Sequence, residues 1–478
     1  MFSFIARGSS LALLNVMDFG APFVRMLMLS HTLSLGELGF ASVLVATYGS
    51  FELISDFALN RFVFAQPRER YRDALAAAHA VSVVRGLSVG ALAVAVSPIV
   101  AAFMSVQANW PDFAVLGLVS VIRAFEHLAP RVAERDYRYG VQAKVSLAAN
   151  GLSLAALVVA LHLQPTGTAI IYSLFAQAIG QVIGSHAVAD CPYQIRFRTP
   201  LFREAFRFGY PLMLNGVGLA ASLQGDRLIV GGMLGLSTLG VYAIATLATT
   251  VPYLMVGRLL STVLLAAFYN AAAHSERLYV ARLRLAARIV PIIAAIFGLG
   301  VVTLYNIVVP LVFGRNFVLS PLVTAILAIG AFLRLARGEP FTTVLMNQAR
   351  TRRIALINLA STSALVFAVI LIFFHRAIDS VLLAKLLGEG VSLVVALLLT
   401  ADLFQKARRD SLGSMLVGAA ALVFAAALSM TTEVGVRPLP SIAALAALTC
   451  ALALWGWMVG GELTRESFPR FKLGAAKS

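Results

Sequence analysis

The sequence predicts an all-α polytopic membrane protein of about fourteen transmembrane helices, arranged as two pseudo-symmetric six-helix lobes plus two C-terminal helices. Three observations carry this. Of 478 residues, 60% are hydrophobic and only 13% charged, with a mean hydropathy of +0.87, whereas a soluble domain carries about 25% charged residues. The apolar residues fall into long runs, each near the roughly 20 residues that cross a bilayer core of about 30 Å as helix. Basic residues collect in alternate connections, as the positive-inside rule requires.

Taken in order, the expected spans are 9–32, 36–58, 74–105, 111–130, 140–162, 167–188, 207–233, 237–268, 286–313, 320–345, 354–375, 378–401, 411–431 and 439–460. Spans 111–130 and 320–345 are interrupted by charge. The run from Ser9 to Thr32 is long, carries Asp18 and Arg25, and has no small-residue cleavage site after a short apolar core, so it is expected to be a retained span and not a signal peptide. With the N-terminus in the cytoplasm, one side collects 27 Lys and Arg residues, including Arg61, Arg68, Arg131, Arg135, Arg203 and Arg277, and the opposite side only Arg315, Arg376 and Arg437. That alternation assigns the net charge of +16 to cytoplasmic loops, not to nucleic-acid binding. Both termini are expected in the cytoplasm.

The connections are short, and none could fold as a separate catalytic domain. The longest falls between the sixth and seventh spans. It divides the chain into an N-terminal lobe (1–190), a cytoplasmic linker (191–206), a C-terminal lobe (207–405), and two additional helices with a basic tail (406–478). A weak internal repeat supports the division. SLGELGFASVLVATYGSF at 34–51 resembles GLSTLGVYAIATLATTVP at 235–252, and Leu38-Gly39 aligns with Leu239-Gly240 at an offset of 201. Six spans per unit is even, so the two repeats would run parallel about an axis along the membrane normal.

Charge inside the spans is the main pointer to function. A charged side chain at mid-bilayer costs about 2.5–3.5 kcal/mol on insertion scales and normally faces protein or a wet cavity. Eight bases (Arg25, Arg85, Arg123, Arg227, Arg258, Arg334, Arg337 and Lys385) and seven acids (Asp18, Glu52, Asp56, Glu126, Asp226, Glu339 and Glu389) lie within spans. Arg123 with Glu126 and Lys385 with Glu389 have the spacing of local ion pairs. Arg334 and Arg337 have one acid, Glu339, close in sequence. Arg forms bidentate hydrogen bonds with phosphate. Arg25, Arg258, Arg334 and Arg337, together with Arg227 and Arg85, are therefore the expected substrate-binding residues of a central cavity. Asp18, Asp56 and Asp226 are the candidates for ion or proton coupling. Asp226 beside Arg227 is open to three readings: an ion pair, a cation or proton site, or an interlobe latch. Pro22, Pro211, Pro252 and Pro291 can kink their helices. Cys191 and Cys450 make no disulfide framework, and there is no G-x-x-x-x-G-K-[ST], H-E-x-x-H or C-x-x-C. No metal and no cofactor are expected.

The stretch FGYPLMLNGVGLAASLQGDRLIVGGMLGLSTLGVYAIATLATTVPYLM resembles the central signature of polysaccharide and oligosaccharide flippases, which translocate lipid-linked repeat units for O-antigen and exopolysaccharide. The matching residues are Phe208, Gly209, Pro211, Asp226, Leu239, Gly240 and Tyr242. LSLGELGFASVL and the basic loop after it are similar to the family's opening. The resemblance places the chain in the multidrug/oligosaccharidyl-lipid/polysaccharide exporter superfamily and implies a MATE-like fold with a cavity open alternately to each side. It implies a lipid-diphosphate-linked oligosaccharide as substrate, moved from the inner to the outer leaflet of the cytoplasmic (inner) membrane. The bilayer and that glycan are the expected partners, the polymerase and export machinery of the same pathway are further candidates, and nucleic acid is excluded. The alternatives are a peptidoglycan lipid-precursor flippase, a multidrug/cation antiporter and a membrane-embedded glycan polymerase. The last generally needs a large periplasmic loop or a soluble domain, which this chain lacks.

Overall fold

The computed structural model describes residues 20–136, 138–197, 200–348, 350–401, 405–431, 447–451 and 454–455. Among them there are helices and no strands. A helix over 20–32, here α1, is followed by α2 (Leu35–Ile54), α3 (Leu59–Ala65), α4 (Tyr71–Phe103), α5 (Trp110–Arg123), α6 (Ala129–Val132), α7 (Tyr139–Leu163) and α8 (Ala169–Val188). Then come α9 (Pro200–Leu234), α10 (Leu236–His274), α11 (Glu276–Phe313), α12 (Pro321–Asn347), α13 (Thr351–Ser361), α14 (Ser363–Phe374), α15 (Ile378–Leu399) and α16 (Gln405–Thr431). Nine helical stretches among the described residues are long and apolar enough to cross a membrane. Asp18, the start of the first span, most of span 439–460 and the basic tail lie outside the described residues.

The span expected at 111–130 is not one helix. α5 stops at Arg123 after 14 residues, a rise of about 21 Å, short of the hydrocarbon core. The chain then turns through 124–128 into the four-residue α6. The backbone N–H groups freed there are taken up by side chains: His127 N–H donates to Ser185 Oγ (2.9 Å), Leu128 N–H to His79 Nε2 (3.2 Å) and Ala129 N–H to His127 Nδ1 (3.2 Å). Inside a bilayer such a break is tolerated only where protein supplies these partners. The two histidines also hold down the 189–197 connection. His79 Nδ1 meets the Gln194 carbonyl and His127 Nε2 the Cys191 carbonyl, both at 3.0 Å. The Tyr193 ring sits 4.2 Å from that of His79 and 4.9 Å from that of His186. Burial pushes the Tyr193 phenol up to about 12 and raises the Cys191 thiol.

By compactness the chain forms two units, Met1–Ile244 and Ala245–Ser478. The cut falls later than the 191–206 connection because α9 packs on α2, α3 and α4 of the first unit. Each unit pairs its helices in the same succession. In the first, α4 packs on α5, α7 on α8, and α5 on α8; in the second, α11 packs on α12, α13 and α14 on α15, and α12 on α15. The weak repeat in the sequence is thus a repeat of packing.

Within the first unit the two Leu-Gly motifs meet. A Cβ on Gly39 would lie 1.8 Å from the Leu236 carbonyl oxygen, and one on Gly240 would lie 2.4 Å from the Leu35 carbonyl oxygen. The repeat offset of 201 turns each of these contacts into the other: 35 maps to 236 and 39 to 240. Gly36 and its equivalent Ser237 also touch, the added Cβ at 3.6 Å from Ser237 Oγ. Contacts that exchange in this way are isologous. The absence of side chains lets the backbones approach this closely.

Gly39→Ala is expected to destabilise the protein by about 1–3 kcal/mol or more, because the new methyl group meets a backbone carbonyl that cannot swing aside. Gly300→Ala, where nothing lies within 4 Å of the added Cβ, is expected to be neutral or slightly stabilising. Thermal denaturation of the two purified variants in one detergent checks the contrast.

Candidate functional site

Each unit encloses a polar cluster inside otherwise apolar helices. In the first, Glu52 on α2 and Glu126 just past α5 gather three arginines. Arg85 Nη2 lies 3.3 Å and Arg123 Nη1 3.5 Å from Glu52 Oε2. Arg131 is bidentate on Glu126, with Nε at 2.8 Å from Oε1 and Nη2 at 3.2 Å from Oε2, while Arg123 Nε stands 4.0 Å from Oε2. Ser120 Oγ donates to Glu52 (3.0 Å), Gln181 Nε2 to Glu126 (2.9 Å), and Arg123 Nη1 to the Tyr48 hydroxyl (3.2 Å). Leaving either carboxylate unpaired in this interior would be costly; both are bound several times over.

Two adjoining cavities open on this cluster, and Asn60, Arg123 and Arg131 belong to the walls of both. One, of ≈ 220 Å³, includes Glu52, Asp56, Arg85 and Glu126 in its wall. The other, of ≈ 320 Å³, is walled by Glu134 and by polar residues of α7 and α8: Gln142, Ser146 and Asn150, then Gln177 and Gln181. Arg25 stands behind Gln177. It is 6% exposed, its Nη2 donates to Gln177 Oε1 at 3.3 Å, and its Nε has no hydrogen-bond partner. Among the described residues no carboxylate lies within ion-pair distance of Arg25.

In the second unit Glu389 on α15 receives Arg337 Nη2 at 2.8 Å and Arg334 Nε at 3.6 Å. The Arg334 guanidinium also lies over the Tyr253 ring, 5.1 Å from its centroid, a cation–π contact. The cavity here is only ≈ 60 Å³, with Thr246, Thr249, Tyr253, Arg334, Lys385 and Glu389 in its wall. The acid serving the Arg334/Arg337 pair is therefore Glu389 on a neighbouring helix, as well as whatever Glu339 contributes from the same one.

The expected site residues thus divide by place. Arg85 and Asp56 share one cavity wall, and Arg25 joins the adjoining one through Gln177. Asp56 is exposed and accepts from the Ala58 N–H at 2.8 Å, which steadies the left-handed turn at Ala58 (φ 46°). Arg334 and Arg337 belong to the second-unit cluster, and Arg258 is exposed on α10. Asp226 and Arg227 lie on α9. The Asp226 carboxylate, 6% exposed, accepts from the Tyr242 hydroxyl and from the Arg227 backbone N–H, while the Arg227 guanidinium turns to Gln224. These contacts fasten the α9–α10 hairpin. Gly209 packs against Phe57, and Gly216 against the Leu53 carbonyl, where an added Cβ would lie 2.1 Å away. Much of the sequence signature therefore builds the contacts among α2, α9 and the start of α10.

With this geometry in place, comparison with known proteins settles the family. A family model described as "Polysaccharide biosynthesis protein" matches residues 28–320, more than half of the chain. The chain belongs to that family. No curated protein matches it significantly in sequence. The solved structures it is similar to include the lipid II flippase MurJ in an inward closed conformation, at 12% identity over 97% of this chain and 98% of that one with a TM-score of 0.60. An inward-facing MATE multidrug resistance transporter of the MOP superfamily matches at 12% identity over 88% and 96%, TM-score 0.57. A MATE protein in a bent conformation matches at 15% over 88% and 96%, TM-score 0.51. These likenesses establish the MATE-like fold and, with the apolar helices, a multi-pass membrane protein of the polysaccharide biosynthesis family.

Sequence reasoning counted Arg131 among loop charges, and it passed over the carboxamides. The signal for the latter was present. Gln142, Ser146 and Asn150 recur every four residues along α7, as do Gln177 and Gln181 along α8, so each set forms a stripe on one face of an apolar helix.

Glu126→Ala is expected to lower stability by roughly 3 kcal/mol, the low end for stranding a buried ion pair because Arg131 is about one-third exposed. Tyr242→Phe should cost about 1.5–3 kcal/mol through loss of a hydrogen bond to a charged group. Melting temperatures against the parent protein check both.

Proposed function

We propose that the protein is a flippase, not an enzyme, and moves a lipid-diphosphate-linked oligosaccharide from the inner to the outer leaflet of the cytoplasmic membrane by alternating access. The lobes would be 1–190 and 207–405, joined by 191–206, with both termini in the cytoplasm. Family membership supports the glycan, and the fold supports a transporter. The observation that carries the reading is Arg25: a guanidinium buried inside an apolar helix, partnered among the described residues by a neutral carboxamide. A permanent cation whose described partner is neutral suits an anionic guest, and a diphosphate offers the bidentate oxygens that guanidinium binds best. Arg85, in the wall of the adjoining cavity, has a buried Nε with no hydrogen-bond partner among the described residues and fits the same role. A cation antiporter would favour an acidic wall, whereas here the acids Glu52, Asp56, Glu126 and Glu134 are matched by Arg85, Arg123 and Arg131 in the walls and Arg25 behind Gln177.

The reading is tested with Arg25→Gln and Arg25→Lys in cells that make the polysaccharide. Loss of a charge-assisted contact worth about 1.5–3 kcal/mol should slow export some 10- to 100-fold. Lipid-linked oligosaccharide should accumulate on the inner leaflet at unchanged protein level, and Lys, lacking the planar fork, should restore export only in part. Undiminished export by Arg25→Gln at normal protein level would overturn the reading.

A further inference from the structure

We infer that the larger first-unit cavity is a glycan subsite that recognises neutral sugar hydroxyls through carboxamides, separate from the arginines that meet the diphosphate. The inference rests on the proposed function and names which end of the substrate goes where.

Gln142, Ser146 and Asn150 line one side, and Gln177 and Gln181 line the other. A carboxamide offers two donors and an acceptor with two lone pairs. Few of these are used internally: Gln177 Nε2 donates to Asn150 Oδ1, Gln181 Nε2 to Glu126 Oε1, and Gln177 Oε1 accepts from Arg25. Gln142, 6% exposed, keeps its Oε1 buried with no hydrogen-bond partner. An unsatisfied buried acceptor is destabilising in the empty protein, and a guest that donates to it removes that cost.

The charge of the wall selects the guest. Arg123 and Arg131 share Glu126, Arg123 shares Glu52 with Arg85, and Glu134 adds a third acid to the wall, so three arginines meet three acids. The wall therefore draws strongly neither an anion nor a cation. What it presents is a set of mixed donors and acceptors around ≈ 320 Å³, a volume within the range of small-ligand pockets. Sugar hydroxyls, each a donor and an acceptor, match that set; a bare diphosphate, acceptor only, does not.

The experiment measures binding to the purified full chain in lipid nanodiscs with two probes, a polyprenyl diphosphate and the same lipid carrying one hexose. The parent protein is expected to bind the hexose form more tightly. Gln142→Met, which keeps the volume and removes the amide, should reduce that gain by about tenfold while leaving the bare diphosphate affinity unchanged and the melting temperature equal to or above that of the parent. Asn150→Leu serves as a second variant with the same expected selectivity. Equal loss on both probes, or no loss on either, would overturn the subsite while leaving the diphosphate reading standing. Sodium binding that Gln142→Met abolishes would make this a cation site and overturn it too. If the parent binds neither probe, the proposed function falls and the subsite with it.

Discussion

Glu52 and Glu126 hold three arginines inside helices that are otherwise apolar, and the shape of the first unit follows from that. Each charge at membrane depth needs a partner or a wet wall. Glu126 reaches its partners because α5 stops at Arg123 and the chain turns back. That turn exposes backbone N–H groups, which His79, His127 and Ser185 accept. The same histidines pin the connection that leads to α9. A broken helix, a charged cluster and an ordered inter-repeat connection are thus one construction. The cavities sit beside it because the turn occupies less space than a continued helix would.

The second constraint is steric. Gly39 and Gly240 let the starts of α2 and α10 touch backbone to backbone, with the contact reproduced at the repeat offset. Close helix approach of this kind replaces the hydrophobic driving force that lipid does not provide. It also explains why the signature is spread along the chain. Gly209 and Gly216 meet α2 near its C-terminal end, Gly240 meets α2 near its N-terminal end, and Asp226 with Tyr242 fastens the hairpin between. A pattern that reads as a functional motif is largely the specification of one helix packing along another.

How much was legible in the sequence depended on whether the signal was local. Hydropathy and loop charge are local, and the long helices from α2 to α16 fall where they indicate, except that α5 breaks early, α3 lies in an expected connection and the span at 354–375 divides into α13 and α14. The break was not legible because Arg123, Glu126 and Arg131 fit a self-neutralising helix as well as a turn; the deciding partners, Ser185 and Gln181, lie nearly sixty residues away. Partner choice was hidden for the same reason. Glu389 has Lys385 four residues before it, yet it binds Arg337 from another helix. Carboxamides were overlooked because they carry no charge to count, although their four-residue spacing on α7 and α8 was visible. Arg25 was singled out for its charge, and the structure adds what sequence could not: its described partner is neutral.

The repeat also shows how one ancestral arrangement can take on two roles. In both units a tyrosine from the second span of the repeat touches an arginine of the fourth: Tyr48 with Arg123, and Tyr253 with Arg334. Three residues on, the polarity reverses. The first unit has Glu126 there, bound to Gln181 of α8; the second has Arg337, bound to Glu389 of α15. With the acid moved to the later helix, the second unit closes its charges on each other around ≈ 60 Å³. With the acid at the helix break, the first unit frees a face of carboxamides around ≈ 320 Å³. A substrate with one charged and one hydroxylated end needs such asymmetry, since two identical half-sites would present the same chemistry to both ends.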